Sequence, residues 1–178
     1  MLLLPSAAHA AWNNSGFEIG SAGAAPPNWT VTTFLNKTGF TPQDPQTFAG
    51  LNLTTNGGTA KTVILSSSSG PGSQPDATLT SSASLRWPRY GNQCVLVNQL
   101  GNLQNVNALS QTATMTAADV HPVDGQLHIR FTIAPVMQNP GHPESQEPYF
   151  FVQVVDVTQG NVALRPDGQP GLWPRLSS

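Results

Sequence analysis

Glycine and proline interrupt this chain so often that they exclude long helices. Sixteen of each occur among 178 residues. Wherever apolar side chains recur at the helical spacing i, i+3, i+4 and i+7, one of the two breaks the window. Short runs rich in Val, Ile, Thr and aromatic residues recur instead between Gly, Pro, Asn and Asp, a pattern typical of strands and turns. The chain is therefore predicted to be all-β.

Short segments throughout the chain carry this strand pattern. They are 17–19, 29–35, 51–53, 62–66, 83–87, 93–97, 109–116, 126–134 and 149–157. Because the crossover helices of a parallel sheet are missing, the predicted fold is an antiparallel β-sandwich of jelly-roll type.

Two of these segments have more specific patterns. In 126–134, Leu127, Ile129, Phe131 and Ile133 alternate with polar residues, which predicts a half-buried antiparallel strand. Residues 150–155 are apolar on both faces for most of their length and predict a central strand that is covered on both sides.

The C-terminal stretch carries no strand pattern after Asp167. A jelly roll normally returns a late strand to lie beside the first. We therefore expect the sandwich to be truncated at the C-terminus, with an unpaired sheet edge.

The N-terminal residues predict export. An apolar run at 2–4 is followed by Ala8-His9-Ala10, the small-x-small step of a signal-peptide cleavage site. No Lys or Arg precedes the run, so either residues 1–10 are the end of a truncated signal peptide, which we expect, or the resemblance to a cleavage site is accidental. Residues 11–178 are expected to form a single sandwich domain. No apolar stretch approaches the roughly 20 residues that a spanning helix needs. The expected location is secreted, periplasmic or cell-surface.

The charge of the chain limits the classes of function that it can have, and the sequence around its single cysteine indicates the role of that residue. Charged residues are 9% of the chain and the net charge is −2. Without a basic cluster, the chain lacks the electrostatic signature of a nucleic-acid-binding protein. The single cysteine, Cys94, lies in an apolar run and is predicted to be a small buried hydrophobic residue.

The sequence offers no recognisable catalytic motif. Most of the nine acidic residues stand in turn-like contexts, and none forms a rigid pair suited to glycoside hydrolysis. His121, His128 and His142 lack the H-E-x-x-H spacing of zinc enzymes, and no G-x-S-x-G motif is present. We therefore expect a protein that is not an enzyme.

A ligand-binding surface requires fewer specific residues than a catalytic site. Residues 85–93 hold two aromatic residues and two of the seven cations, with Pro88 and Gly91 bending the chain. Aromatic rings stack on sugars, and arginine donates hydrogen bonds to hydroxyls. The alternative is that Trp87 packs in the core and the arginines cover the sheet edge. A second candidate is 142–149, where Gln146 and Tyr149 lie on the long connection that starts at Met137. The candidate ligand-binding residues are Arg86, Trp87, Arg89, Tyr90, Gln146 and Tyr149.

The opening of the mature chain resembles a known family. Asn13-Asn14-Ser15-Gly16-Phe17-Glu18-Ile19-Gly20, followed by Pro26-Pro27-Asn28-Trp29, is similar to the start of galactose-binding-like jelly rolls, including carbohydrate-binding modules of the family 4/9 type. The resemblance implies that Glu18 helps to hold a structural calcium, an ion that prefers oxygen ligands. The alternative for Glu18 is a solvated side chain. The resemblance also implies that Trp29 belongs to the core.

From these observations we consider three candidate functions, in order of preference. The first is a noncatalytic carbohydrate-binding or adhesion-type module whose partner is a glycan or a cell-surface polymer. The second is a structural or assembly domain of a cell-surface or envelope protein, in which a neighbour completes a missing sheet edge. An exported hydrolase ranks third.

Overall fold

The computed structural model of the protein describes only part of the chain. The described residues are 12–36, 53–55, 62–67, 88–98, 105–137, 141, 143, 147–165, 170–171 and 176–177. Within them, short antiparallel strands dominate and one turn of 3₁₀ helix, Ala117–Asp119, is present. The all-β prediction is confirmed at this level. No helix in the described ranges has the length and apolar character needed to cross a membrane.

The strands form small sheets. In chain order they are β1 Thr30–Asn36, β2 Leu53–Thr55, β3 Val63–Ser66, β4 Gln93–Leu96, β5 Asn105–Ser110, β6 Tyr149–Phe150, β7 Val154–Asp156, β8 Val162–Leu164 and β9 Leu176–Ser177. One sheet has the order β2-β1-β5, and the others are the pairs β3-β4, β6-β9 and β7-β8. The predicted segments 29–35, 62–66 and 93–97 coincide closely with β1, β3 and β4.

The chain divides into two compact units, which are described separately. Unit 1 contains Met1–Thr32, Ala60–Gly101 and Asn107–Ile133, and unit 2 contains Thr33–Thr59, Asn102–Val106 and Ala134–Ser178. This division does not test whether residues 11–178 fold as a single domain, which stays a prediction. The predicted signal peptide, residues 1–10, lies outside the described residues.

Ile64 is the centre of the core in unit 1. Its side chain is fully buried, with 0% exposed. Its backbone N–H donates to the Ala24 carbonyl at 2.8 Å, and its carbonyl accepts from the Gly23 N–H at 2.8 Å. Gly20 packs so closely that a Cβ there would lie 2.6 Å from Ile64 Cδ1. The N-terminal segment therefore adds backbone pairing and cover to β3.

Trp29 packs within this N-terminal segment. Its ring centroid lies 5.2 Å from that of Phe17 and 6.3 Å from that of Trp12. Its indole N–H donates to the Asn14 carbonyl at 3.2 Å. The predicted strand at 17–19 is wrong, because Phe17 has a left-handed φ of 60° and the segment turns at this point.

The prediction of a strand at 126–134 is also wrong. Among the described residues, this segment contributes one isolated bridge, between Val120 and Leu127, and no strand. The four apolar side chains of the predicted buried face are 41–51% exposed. Alternation shows which side chains would share a face, but burial also requires a neighbouring layer, and the sequence pattern does not supply one.

The segment 149–157 is split instead of forming one central strand. β6 pairs with β9 and β7 pairs with β8, and all five side chains of β6 and β7 are half-buried. β9 also contradicts the expectation of no strand after Asp167. The turn after β7 explains β8: Asp156 accepts from the Thr158 N–H at 2.8 Å, and Gly160 and Asn161 have left-handed φ of 78° and 65°.

The remaining strand predictions have mixed outcomes. β2 begins at Leu53, where the predicted segment 51–53 ends, and β5 shares only Leu109 and Ser110 with the predicted 109–116. The predicted segment 83–87 lies outside the described residues.

Candidate functional site

The structure describes three of the six predicted ligand-binding residues. Arg89 and Tyr90 are neighbours on the turn that precedes β4, in unit 1. Tyr149 begins β6 in unit 2, where it is half-buried and pairs with Ser177. Arg86, Trp87 and Gln146 lie outside the described residues. The geometry of the candidate site is therefore that of Arg89, Tyr90 and their supports.

Backbone contacts fix the turn that carries Tyr90. Gly91 has a left-handed φ of 68°, a conformation that glycine adopts without strain. The next residue, Asn92, accepts a hydrogen bond at its carbonyl from the Ser67 N–H at 3.0 Å. β4 then begins at Gln93 and pairs with Ser66 of β3. The turn is thus anchored to the end of a two-stranded sheet.

Glu18 holds the same turn from the N-terminal segment. Its Oε1 accepts hydrogen bonds from the backbone N–H of Asn92 at 2.8 Å and of Gln93 at 3.1 Å. The Gln93 side-chain amide donates to the Gly20 carbonyl at 3.4 Å. A Cβ on Gly91 would collide with the Glu18 carboxylate. Glycine at 91 is therefore required both by the backbone conformation and by this contact.

Arg89 and Tyr90 form a small exposed platform. The guanidinium carbon of Arg89 lies 5.4 Å from the centroid of the Tyr90 ring, within the range of a cation–π contact. Tyr90 is 70% exposed. An exposed aromatic ring beside a five-donor cation can stack on an apolar face of a ligand while hydrogen bonds form to polar groups at the rim.

The predicted calcium ligand, Glu18, acts as a hydrogen-bond acceptor in the turn. Its role in calcium binding stays a prediction. Its negative charge also reaches β4: burial raises the pKa of the Cys94 thiol, and the nearby Glu18 carboxylate raises it further. Cys94 is half-buried and pairs with Leu65 of β3. A thiol in this setting is a packing group with little thiolate character.

The sequence motifs considered above missed a second cluster of polar side chains. Among the described residues, His121, Asp124 and His128 are the group of three whose potential metal-ligating atoms come together, all within 4.8 Å of one another. The spacing His-x-x-Asp-x-x-x-His around a Pro-Val-Asp-Gly turn was the available signal. The H-E-x-x-H pattern does not detect this cluster, because that pattern requires ligands on a helix, whereas a turn joins these three.

Asp124 is the centre of this cluster. Its Oδ1 accepts from the Gln126 N–H at 3.1 Å, and its Oδ2 lies 2.7 Å from His128 Nε2. The backbone hydrogen bond from Gln126, followed by the bond to His128, lowers the pKa of the Asp124 carboxyl. The carboxylate is therefore held ionised and oriented on an exposed turn.

Comparisons of the chain with protein-family models, curated proteins and solved structures found no match. The similarity of residues 13–31 to galactose-binding-like domains therefore remains a resemblance of sequence, and the function is argued from the site.

Proposed function

We propose that this protein is a noncatalytic, exported carbohydrate-binding or adhesion-type module, and that its small antiparallel sheets belong to a jelly-roll sandwich. The observation that carries the proposal is the Tyr90 ring, 70% exposed beside Arg89 on a turn that Glu18 holds. The resemblance of residues 13–31, which include Glu18, to carbohydrate-binding modules supports the same function.

The fixed backbone of the turn that carries Tyr90 favours a ligand-binding role for this turn. A ligand that meets a preformed surface avoids the ordering cost of about 0.5–1.5 kcal/mol for each side chain that binding would otherwise immobilise. Two backbone hydrogen bonds to Glu18 and one from Ser67 fix the residues just after Tyr90. The backbone next to the platform is therefore preformed for a flat ligand face.

The size of the platform sets the expected affinity. Covering about 150 Å² of one aromatic side chain contributes about 4 kcal/mol before the cost of association is subtracted. That figure corresponds to a Kd of about 1 mM at best. Trp87 and Arg86, next to the platform in sequence, would have to add contacts for tighter binding.

The test is a glycan screen followed by titration. The full chain is probed against polysaccharides and a glycan array, with added calcium and with a chelator, and any ligand found is titrated against variants. Tyr90→Ala should abolish measurable binding, whereas Tyr90→Phe, which keeps the ring, should bind within about twofold of the parent. The remote surface variant Val157→Ala is the control, since Val157 is 54% exposed on the β7–β8 turn.

Each result bears on one part of the proposal. Binding that disappears with the chelator and returns with added calcium, but not with added Zn²⁺, supports calcium at Glu18. Equal binding by Tyr90→Ala and the parent would refute the platform. A folded protein that binds no glycan would refute the carbohydrate-binding function and favour the second candidate.

The second candidate is a structural or assembly domain. It is supported by the four alternating apolar side chains of residues 127–133, which are 41–51% exposed. Four exposed apolar side chains within seven residues are suited to burial against a neighbouring copy of the chain. Light scattering over a concentration series would show association that Ile129→Lys weakens, and a monomer at every concentration would contradict it.

A further inference from the structure

The loop 120–127 is a hairpin with a fixed backbone. Val120 and Leu127 form an antiparallel bridge, and the His121 N–H donates to the Gln126 carbonyl at 2.8 Å. The Gly125 N–H closes the turn by donating to the His121 carbonyl at 2.9 Å. His121 and Asp124 are therefore presented by a defined turn, and His128 follows directly after the bridge.

The side chains of this hairpin converge through their ligating atoms. His128 Nε2 lies 2.7 Å from Asp124 Oδ2, and His121 Nδ1 lies 3.4 Å from Asp124 Oδ1. The two imidazole rings meet edge to face with their centroids 5.2 Å apart. Two imidazole nitrogens and one carboxylate are a common ligand set for zinc and related ions.

His121 Nδ1 faces Oδ1 of Asp124 and His128 Nε2 faces Oδ2, so a shared ion requires the carboxylate to rotate until one oxygen faces both rings. Ligand atoms about 2.0–2.2 Å from a tetrahedral zinc are about 3.3–3.6 Å from each other. The His121–Asp124 separation of 3.4 Å falls in that range. The His128–Asp124 pair must open by about 0.6 Å to reach it. Their side chains are 36% and 42% exposed, so both have room to rotate.

His121 provides an independent observation. Its Nδ1 is shielded from solvent, yet no hydrogen bond satisfies it. Its contact with Asp124 Oδ1 at 3.4 Å is an ion pair too long for a good hydrogen bond, and coordination of a cation would satisfy the shielded nitrogen. Asp124 is already oriented by the Gln126 N–H, as metal-ligating carboxylates are by their outer contacts.

We propose that His121, Asp124 and His128 form a binding site for a single divalent transition-metal ion of the Zn²⁺ class. The site supplies three protein ligands on an exposed turn, so the remaining coordination position is open to water or to a group from a partner. Hard cations that prefer oxygen, such as Ca²⁺ and Mg²⁺, are disfavoured by the two imidazoles. The proposal is independent of glycan binding.

The experiment is calorimetric titration of the full chain, without a polyhistidine tag, with ZnCl₂ and with CaCl₂. We expect one Zn²⁺ per chain and no Ca²⁺ at this site. His121→Ala, His128→Ala and Asp124→Asn should each weaken Zn²⁺ binding by at least about tenfold. Asp124→Asn keeps an oxygen that can accept from Gln126, so the turn is preserved.

Asp156→Asn is the matched control. Asp156 is also a turn aspartate that caps a backbone N–H, but it lies outside the cluster. This variant should bind Zn²⁺ like the parent. Unchanged binding in all three cluster variants, or no saturable Zn²⁺ binding by the parent, would overturn the proposal.

A measurement on the parent protein tests the metal site even where the variants fail to fold. In NMR spectra of the assigned histidine rings, Zn²⁺ should shift His121 and His128 together at one equivalent. Shifts confined to other histidines would place the ion elsewhere and refute this site.

Discussion

Oε1 of Glu18 accepts a hydrogen bond of 2.8 Å from the backbone N–H of Asn92, although 74 positions separate the two residues in the chain. The same oxygen accepts from Gln93 at 3.1 Å. One carboxylate thus joins the N-terminal segment to the turn that presents Tyr90. The contact makes the shape of the candidate platform depend on a distant part of the sequence.

Gly91→Ala should destabilise the protein more than Gly125→Ala. The two glycines have nearly equal φ, 68° and 69°, so the backbone strain of about 1–2 kcal/mol is common to both. Only Gly91 faces Glu18, while a Cβ at Gly125 meets no atom within 4 Å. Displacing Glu18 should cost about a further 1 kcal/mol in the free energy of unfolding, measured with urea.

A double variant checks this cause. If Glu18 is the obstacle, Glu18→Ala combined with Gly91→Ala should be less destabilising than the sum of the two single variants. Strict additivity, or equal effects of Gly91→Ala and Gly125→Ala, would show that the contact with Glu18 contributes nothing.

Ile64→Ala and Ile129→Ala compare the same substitution in two environments. Ile64 is 0% exposed and Ile129 is 41% exposed. The first should lower the free energy of unfolding by about 2–5 kcal/mol, as for other core residues. The second should lower it by less than about 1 kcal/mol. Similar losses in both would support the buried strand at 126–134 that the sequence pattern predicts.

Asp156 should titrate below the ordinary pKa of an aspartate. The hydrogen bond from the Thr158 hydroxyl at 2.6 Å, followed by that from the Thr158 N–H, stabilises the carboxylate and lowers its pKa. Because the folded-state pKa is depressed, the stabilisation is present above the unfolded-state pKa and is lost as the pH falls through the folded-state value. Carboxyl ¹³C NMR titration measures it directly.

Thr158→Val tests the assigned cause. Loss of the hydroxyl should raise the pKa of Asp156 toward the ordinary value, while the backbone bond remains. Thr116→Val removes a comparable hydroxyl–carboxylate bond to Asp119. It should leave the pKa of Asp156 unchanged, and a similar shift in both variants would argue against the local explanation.

Cys94 should alkylate slowly in the folded protein. Burial, with a smaller effect of the Glu18 charge, raises its pKa and so reduces the reactive thiolate. At pH 8, iodoacetamide should modify the unfolded chain much faster than the folded one, and Glu18→Gln should accelerate the folded reaction modestly. A folded rate equal to the unfolded rate would contradict this environment.

The local sequence pattern predicted the structure correctly where residues adjacent in sequence determine it. β3 and β4 were predicted from short apolar runs bounded by turn residues, and the near absence of helix among the described residues was predicted from glycine and proline. The sequence pattern failed where burial or strand pairing depends on residues that are distant in sequence. Residues 127–133 alternate correctly but are exposed, and the long apolar run at 149–157 breaks because β6 and β7 pair with different strands.

At the two candidate sites, too, some features follow from local sequence and others depend on tertiary contacts. Composition identified the turn with Arg89 and Tyr90, but the support from Glu18 depends on tertiary contact and could not be inferred from spacing. The resemblance singled out Glu18 for a different reason, as a calcium ligand. The cluster of His121, Asp124 and His128 lies within eight consecutive residues, so its spacing was visible, but its convergence depends on the left-handed turn at Gly125.

The long reach of the Glu18 hydrogen bond has a kinetic consequence. Closing a chain loop of 74 positions is slow and entropically costly compared with closing the short turn between β7 and β8. We therefore expect the bond to form after the folding transition state. In that case Glu18→Ala would accelerate unfolding and leave the refolding rate nearly unchanged, and the turn that presents Tyr90 would be among the last parts of the described chain to become ordered.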